Sequence, residues 1–181
     1  MNNLKEYIAV REQIKTGDLL QWHSHSLLGE MIRRKTRKDR PTHEILFDID
    51  VNHSTLAVRM TETSSGDLRV FTTEALEKGT VPAFLSVRLQ QFDGKVWWYP
   101  LKDEWEAARS VISRRAFDHL GIGYDYLAIL KQLFNFTPKL DTKNLYCNEY
   151  CCVCWGVDLE TAHNPNWLPN LGIFKKPVRI L

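Results

Sequence analysis

Four cysteines lie within eight positions near the end of the 181-residue chain, at Cys147, Cys151, Cys152 and Cys154. A cysteine acts as a nucleophile in its thiolate form, which a helix N-terminus favours through unpaired N–H groups and the helix dipole. Cys147 follows a stretch rich in helix-breaking residues and opens an apolar segment. The sequence therefore predicts Cys147 as a nucleophile at the start of a helix, with the other three cysteines inert in the core.

Two other interpretations of the cysteine cluster stay open. All four cysteines can be ordinary core residues, which is the common case for a cysteine outside disulfides. A zinc site is less well supported, because the spacing lacks the paired C-x2-C pattern of structural zinc sites. His23 and His25 would add ligands only if they folded beside the cysteines. We expect no metal or other cofactor, and the tight spacing, which closes no useful disulfide loop, favours a reducing compartment.

The nucleophile needs a base, and a strand is a good platform because it fixes the direction of an imidazole ring. His43 opens a β-prone stretch directly after a proline. Alternation along a strand places His43 and Ile45 on one face and Glu44 on the other, so Glu44 is a poor partner despite its adjacency. We therefore predict His43 as the general base.

An acid that orients the base is expected on a neighbouring strand and on the same face. Glu74, at the end of the β-prone stretch 68–73, is the candidate. Asp48, Asp50 and Glu62 are competitors that spacing alone does not exclude.

The pattern of apolar residues predicts an α+β domain in which an antiparallel sheet packs against helices. Predicted helices cover residues 4–14, 27–32, 82–91, 103–120, 124–134 and 147–155, and the basic run 33–40 is predicted as a loop. Predicted strands cover residues 19–22, 43–49, 55–60, 68–73, 96–101 and 177–180, with turns at 52–54 and 63–67. The length favours one domain over residues 1–181, with an N-terminal helix within 1–15 and a core of about 16–175.

Composition narrows the class of protein. A formal charge of +2 and a pI near 8.3 do not predict a large nucleic-acid footprint, so no nucleic-acid partner is expected. The charged N-terminal residues leave no apolar stretch typical of a signal peptide, and no apolar run approaches the roughly 20 residues of a membrane helix. We expect a soluble cytoplasmic protein without a transmembrane segment.

Several segments, in this order, match the motifs of one family. They are Gly17-Asp18-Leu19-Leu20, the helix at 26–34, Thr42-His43-Glu44-Ile45-Leu46, Thr73-Glu74-Ala75-Leu76 with Gly79-Thr80-Val81, Gly123-Tyr124-Asp125, and Tyr146-Cys147-Asn148-Glu149. The chain resembles the circularly permuted NlpC/P60 cysteine hydrolases, the YiiX/YebB-like branch of the papain-like proteins. Histidine before cysteine in the sequence is the order that this permutation produces.

The resemblance implies a circularly permuted papain-like fold and a set of roles. Cys147 would be the nucleophile, His43 the base and Glu74 the third member of the triad. Tyr146 would lie beside the site, and the backbone N–H of Cys147 would contribute to an oxyanion hole. The chain departs from the family pattern at Glu44, at Asn148 in place of serine, and in a longer segment between His43 and Glu74.

The resemblance also implies a function. We expect a cysteine hydrolase that cleaves an amide bond in peptidoglycan-type peptides through an acyl-enzyme. Lipid ester hydrolysis or acyl transfer is the alternative, favoured if the aromatic residues at 97–99 and 105 line a groove instead of the core. A catalytically inactive binding module is the second alternative, in which the basic run 33–40 contacts phosphate or anionic lipid.

Overall fold

Antiparallel strands form the centre of the protein. The computed structural model describes residues 2–38, 49–61, 68–76, 79–122, 145–158 and 165–181. The strands are β1 (Leu19–Ser24), β2 (His53–Thr61), β3 (Leu68–Leu76), β4 (Gly79–Phe84), β5 (Gly94–Tyr99) and β6 (Val178–Arg179). In the described residues they form a six-stranded sheet in the order β4-β3-β2-β1-β5-β6, and each neighbouring pair is antiparallel. The prediction of an α+β protein with an antiparallel sheet is confirmed.

Helices cover both faces of this sheet. They are α1 (Lys5–Val10), α2 (Leu27–Lys38), α3 (Leu85–Gln91), α4 (Arg109–Asp118) and α5 (Cys147–Trp155), with 3₁₀ helices at Asp103–Ala108 and Pro165–Leu171. Side chains alternate along each strand, so the fully buried neighbours Leu19 and Leu20 enter different cores. Leu19 packs in the core beneath α4 and α5, and Leu20 packs in the core beneath α1 and α3.

The helix that begins with Cys147 is fixed by polar anchors as well as by packing. The hydroxyl of Tyr150 donates to the carbonyl of Ala116 in α4 at 3.1 Å, and the indole N–H of Trp155 donates to the carbonyl of Gly17 at 2.9 Å. Gly156 ends the helix at a φ of 73°, a left-handed conformation that glycine adopts without strain. The structure confirms the predicted helix at 147–155, and these anchors set where its N-terminus lies.

Several predicted boundaries were wrong. Residues 82–84 belong to β4 instead of a helix; Pro82 is accommodated there because β4 is at the edge of the sheet, and α3 begins only at Leu85. Residues 33–38 continue α2 instead of forming a loop. The predicted helix at 103–120 is a 3₁₀ helix followed by the shorter α4, and α1 ends at Val10. The predicted helix at 124–134 and residues 43–48 of the predicted strand 43–49 lie outside the described residues.

Within the part of the chain that the structure describes, no helix combines the length and the apolar character that crossing a bilayer requires.

Candidate active site

Cys147 is the first residue of α5, where the helix emerges from an extended segment. Tyr146 precedes it with φ −89° and ψ 169°, and the backbone N–H of Tyr146 donates to Oε2 of Glu149 at 3.2 Å. This side-chain contact caps the helix and fixes the point at which it begins. The first N–H groups of a helix have no partner within the helix, so the N–H of Cys147 is a donor available to an oxyanion. The predicted position of Cys147 at a helix N-terminus is confirmed.

His53 is the histidine that the structure brings to Cys147. It is the first residue of β2, and Cys147 exerts the largest upward electrostatic effect on its imidazole, while Nε2 of His53 is buried without a hydrogen-bond partner among the described residues. The approach to β2 is well anchored, because Asn166 pairs with both backbone groups of Val51 at 2.9 and 3.2 Å. Asn52 accepts a hydrogen bond from the backbone of Ser24 at 2.7 Å and donates its own N–H to Trp22. The backbone leading into His53 is therefore held on both sides.

Glu74 is the described carboxylate that interacts with His53. Its Oε2 is 3.7 Å from Nε2 of His53, and its side chain is only 1% exposed. The register pairs Leu56 with Thr73, which places Glu74 opposite Thr55, on the same face as His53 two residues earlier. Both Glu74 oxygens also accept from Nε of Arg88, at 2.9 and 3.2 Å. Thiol, imidazole and carboxylate are thus a series of electrostatically coupled groups.

The electrostatics of this series favour a charged imidazole. Burial by itself lowers the pKa of His53, but the interactions with Cys147 and then with Glu74 outweigh burial and raise that pKa to about 9. Burial works to raise the pKa of Glu74, yet the interactions with His53 and then with Arg88 leave the Glu74 pKa below its usual value. A thiolate, an imidazolium and a carboxylate are mutually stabilising in this arrangement.

The other three cysteines are placed as the sequence predicts. Cys151, Cys152 and Cys154 are fully buried, and all four cysteines are free thiols. Burial raises the pKa of Cys151 well above its usual value and that of Cys154 to about 12, so neither thiol ionises readily near neutral pH. Among the described residues, no group of three histidine, cysteine or acidic side chains is arranged to hold a metal ion.

His43, the predicted base, lies outside the described residues. His53, which the sequence analysis assigned to a turn, is the described histidine that interacts with both Cys147 and Glu74. The turn at 52–54 was wrong because His53 and Ser54 are already part of β2. One signal could have identified His53: it shortens the separation from Glu74 that His43 left too long.

The other residues that the sequence analysis named are three competing acids and Tyr146. The backbone carbonyl of Asp50 accepts from Nδ1 of His23 at 2.6 Å, and the Asp50 carboxylate lies 3.9 Å from Arg33. Asp48 and Glu62, the other two competing acids, lie outside the described residues. Tyr146, predicted beside the site, directly precedes Cys147 and is 6% exposed.

No protein-family model matches the chain, and no curated protein is significantly similar to it. The resemblance to the permuted NlpC/P60 hydrolases therefore stays a prediction.

Proposed function

We propose that the protein is a cysteine hydrolase in which Cys147 is the nucleophile, His53 the general base and acid, and Glu74 the residue that orients His53. The observation that carries this proposal is one buried imidazole ring that lies 3.7 Å from a buried carboxylate and is coupled electrostatically to a thiol at a helix N-terminus. Nucleophile, base and orienting acid in series are the arrangement that covalent acyl transfer requires. His53 takes the role that the sequence analysis assigned to His43.

The proposed reaction has two halves. The Cys147 thiolate attacks the carbonyl carbon of an amide, and the carbonyl oxygen becomes an oxyanion that the Cys147 N–H can bind. When the C–N bond breaks, the His53 imidazolium gives its proton to the leaving amine and a thioester on Cys147 remains. His53 then removes a proton from water, hydroxide attacks the thioester, and the carboxylic acid leaves as the thiolate re-forms.

For the substrate, we propose a peptide-type amide, as in murein fragments. The lipid alternative depended on aromatic residues lining a groove, but Trp98 and Tyr99 are 4% and 1% exposed and belong to the two cores. Trp97 and Trp105 also pack against a core. These side chains therefore give no support to a lipid-binding groove.

The binding-module alternative relied on the basic run 33–40. Arg33 is buried and donates to the carbonyl of Ser24 and to the carboxylate of Glu30, while Arg34 pairs with the same carboxylate at 3.0 Å. These two arginines are engaged within α2 and its connection to β1. A triad built in series also has no evident use in a module that only binds.

The proposal is tested by the reactivity of Cys147 and by product analysis. Alkylation by iodoacetamide near neutral pH, located by peptide mapping, should modify Cys147 in preference to its three neighbours. The protein is then incubated with muropeptides or with phospholipid vesicles, and the products are identified by mass spectrometry. We expect amide cleavage that falls by about a thousandfold or more in Cys147→Ala and His53→Ala.

His43→Ala is the matched control, because the proposal predicts opposite results for the two histidine variants. His43→Ala should keep Cys147 reactive and the product yield near that of the wild type, whereas His53→Ala should lose both. A folded His53→Ala variant with wild-type alkylation and turnover would refute the proposal. Cleavage of lipid esters instead of muropeptides would keep the triad and replace the substrate class.

A further inference from the structure

Arg88 is, besides His53, the described charged group that contacts the Glu74 carboxylate. It projects from α3, and its Nε lies 2.9 Å from Oε1 and 3.2 Å from Oε2 of Glu74. The nearest contact between Glu74 and His53 is longer, at 3.7 Å. The direction of the carboxylate is therefore set by the arginine, and the imidazole meets an oxygen that is already fixed.

Two aromatic rings fix the arginine in turn. The guanidinium carbon of Arg88 lies 5.5 Å from the ring centroids of both Trp22 and Phe92. These rings meet edge to face, with centroids 4.9 Å apart, and Trp22 is fully buried. A guanidinium gains from such cation–π contacts, which also restrict its rotation. Trp22 is the cross-strand partner of His53, so the clamp and the base belong to the same pair of strands.

A carboxylate in this position needs such a partner. Glu74 is 1% exposed. An ionised carboxylate that is buried without a positively charged partner is costly, and such a group takes up a proton instead. A protonated Glu74 no longer stabilises a positive charge on His53. The described charged or titratable groups that act on Glu74 are His53 from β2 and Arg88 from α3. Cys147 from α5 reaches the carboxylate only through the imidazole.

We propose that Arg88 is a positioning residue of the hydrolase site, which holds Glu74 ionised and aimed at His53 and so supports the thiolate of Cys147. This inference rests on the proposed function and extends it from a triad to a four-residue series across α5, β2, β3 and α3. Arg88 does not touch the nucleophile; it acts through Glu74 alone.

The test measures the second-order rate constant for alkylation of Cys147 by iodoacetamide as a function of pH. Arg88→Met should lower the rate near neutral pH about tenfold and move the acid limb of the profile upward by about one pH unit, because Glu74 then accepts a proton at higher pH. Arg88→Lys keeps the charge and should recover part of both changes. In a Glu74→Gln background, Arg88→Met should have no further effect.

Arg109→Met is the matched control, since Arg109 forms another largely buried arginine–carboxylate pair, with Asp18, at 2.9 Å. It should lower the melting temperature without moving the acid limb. A wild-type profile in Arg88→Met, or an equal loss in the Glu74→Gln background, would overturn the positioning role while leaving the triad intact. If His53→Ala leaves the alkylation of Cys147 unchanged, the proposed function and this inference both fail.

Discussion

At the scale of single residues, the site depends on one imidazole whose charge is set by its neighbours. His53 is largely buried, with 15% of its side chain exposed, and burial opposes its protonation. The interactions with Cys147 and then with Glu74 reverse that preference and raise the pKa of His53 to about 9. The imidazole is therefore held in its charged form before any substrate arrives, as the proposed mechanism requires.

The titration of His53 is the first prediction at this scale. In the wild type, NMR signals of the imidazole should report a pKa near 9, and in Cys147→Ala the pKa should fall because the largest cause of the increase is removed. The folded pKa lies above the unfolded value of about 6.5, so His53 contributes stability that is complete below pH 6.5 and is lost as the pH rises through 9. An NMR titration that gives the same imidazole pKa in the wild type and in Cys147→Ala would contradict the coupling between these two side chains.

The site could be predicted in part because cysteine and glutamate carry local signals. Cys147 follows helix-breaking residues, and Glu74 ends a β-prone stretch. The base was harder to predict because a histidine is compatible with either a turn or a strand. Asn52, a typical turn residue, made the 52–54 segment look like a turn, but the Asn52 side chain caps the backbone of Ser24 and β2 starts at the next residue.

At the scale of elements, regular packing was predictable and the irregular ends were not. The sheet is predictable from the alternation of polar and apolar residues, and α5 from apolar residues at helical spacing. Both patterns arise because one face of the element is buried. β4 was missed because Pro82 argues against a strand, and only its edge position, a property of the whole sheet, makes the proline acceptable. Boundaries that depend on long-range partners cannot be read from neighbouring residues.

The start of β4 gives a prediction at the element scale. Gly79 has a φ of +95°, and a Cβ there would lie 2.7 Å from the carbonyl oxygen of Ile122, which accepts the N–H of Thr80 at 2.9 Å. Gly121 has a φ of +80°, but a Cβ there meets nothing within 4 Å. Gly79→Ala should cost on the order of 1–3 kcal/mol from strain and collision, and more than Gly121→Ala, which suffers from backbone strain alone.

Urea denaturation of the two glycine variants measures this difference in the free energy of unfolding. β4 pairs with β3, the strand that carries Glu74. The backbone contact at 121–122 is made by the part of β4 that pairs with the end of β3, beyond Glu74. Loss of that pairing should therefore also reduce alkylation of Cys147 in Gly79→Ala. Equal costs for both substitutions would show that the carbonyl of Ile122 is free to move away.

At the scale of the whole molecule, one buried carboxylate joins distant segments. Oδ2 of Asp18 accepts from the backbone of Lys15 at 2.9 Å and from the indole of Trp98 at 2.8 Å. Oδ1 accepts from the backbone of Leu101 at 3.0 Å and from Arg109 at 2.9 Å. The Gly-Asp motif at 17–18 thus connects the N-terminal segment, β5 and α4, and the neighbouring Gly17 carbonyl receives Trp155 from α5.

This connection makes Asp18→Asn the sharpest test of what holds the two cores together. An asparagine has nearly the same shape, but whichever way its amide is turned, the NH₂ group faces two N–H donors and Arg109 keeps a charge without its partner. Breaking a buried pair in this way should cost about 3–5 kcal/mol in the free energy of unfolding. In Asp18→Asn with Arg109→Met the orphaned charge is removed, so the double variant should be less destabilised than the sum of the single variants. Because the carboxylate holds the segment that receives α5, Asp18→Asn should also reduce the alkylation of Cys147 while leaving its pH profile in place. Additive losses in the double variant would mean that Arg109 and Asp18 do not depend on each other and that packing alone joins the cores.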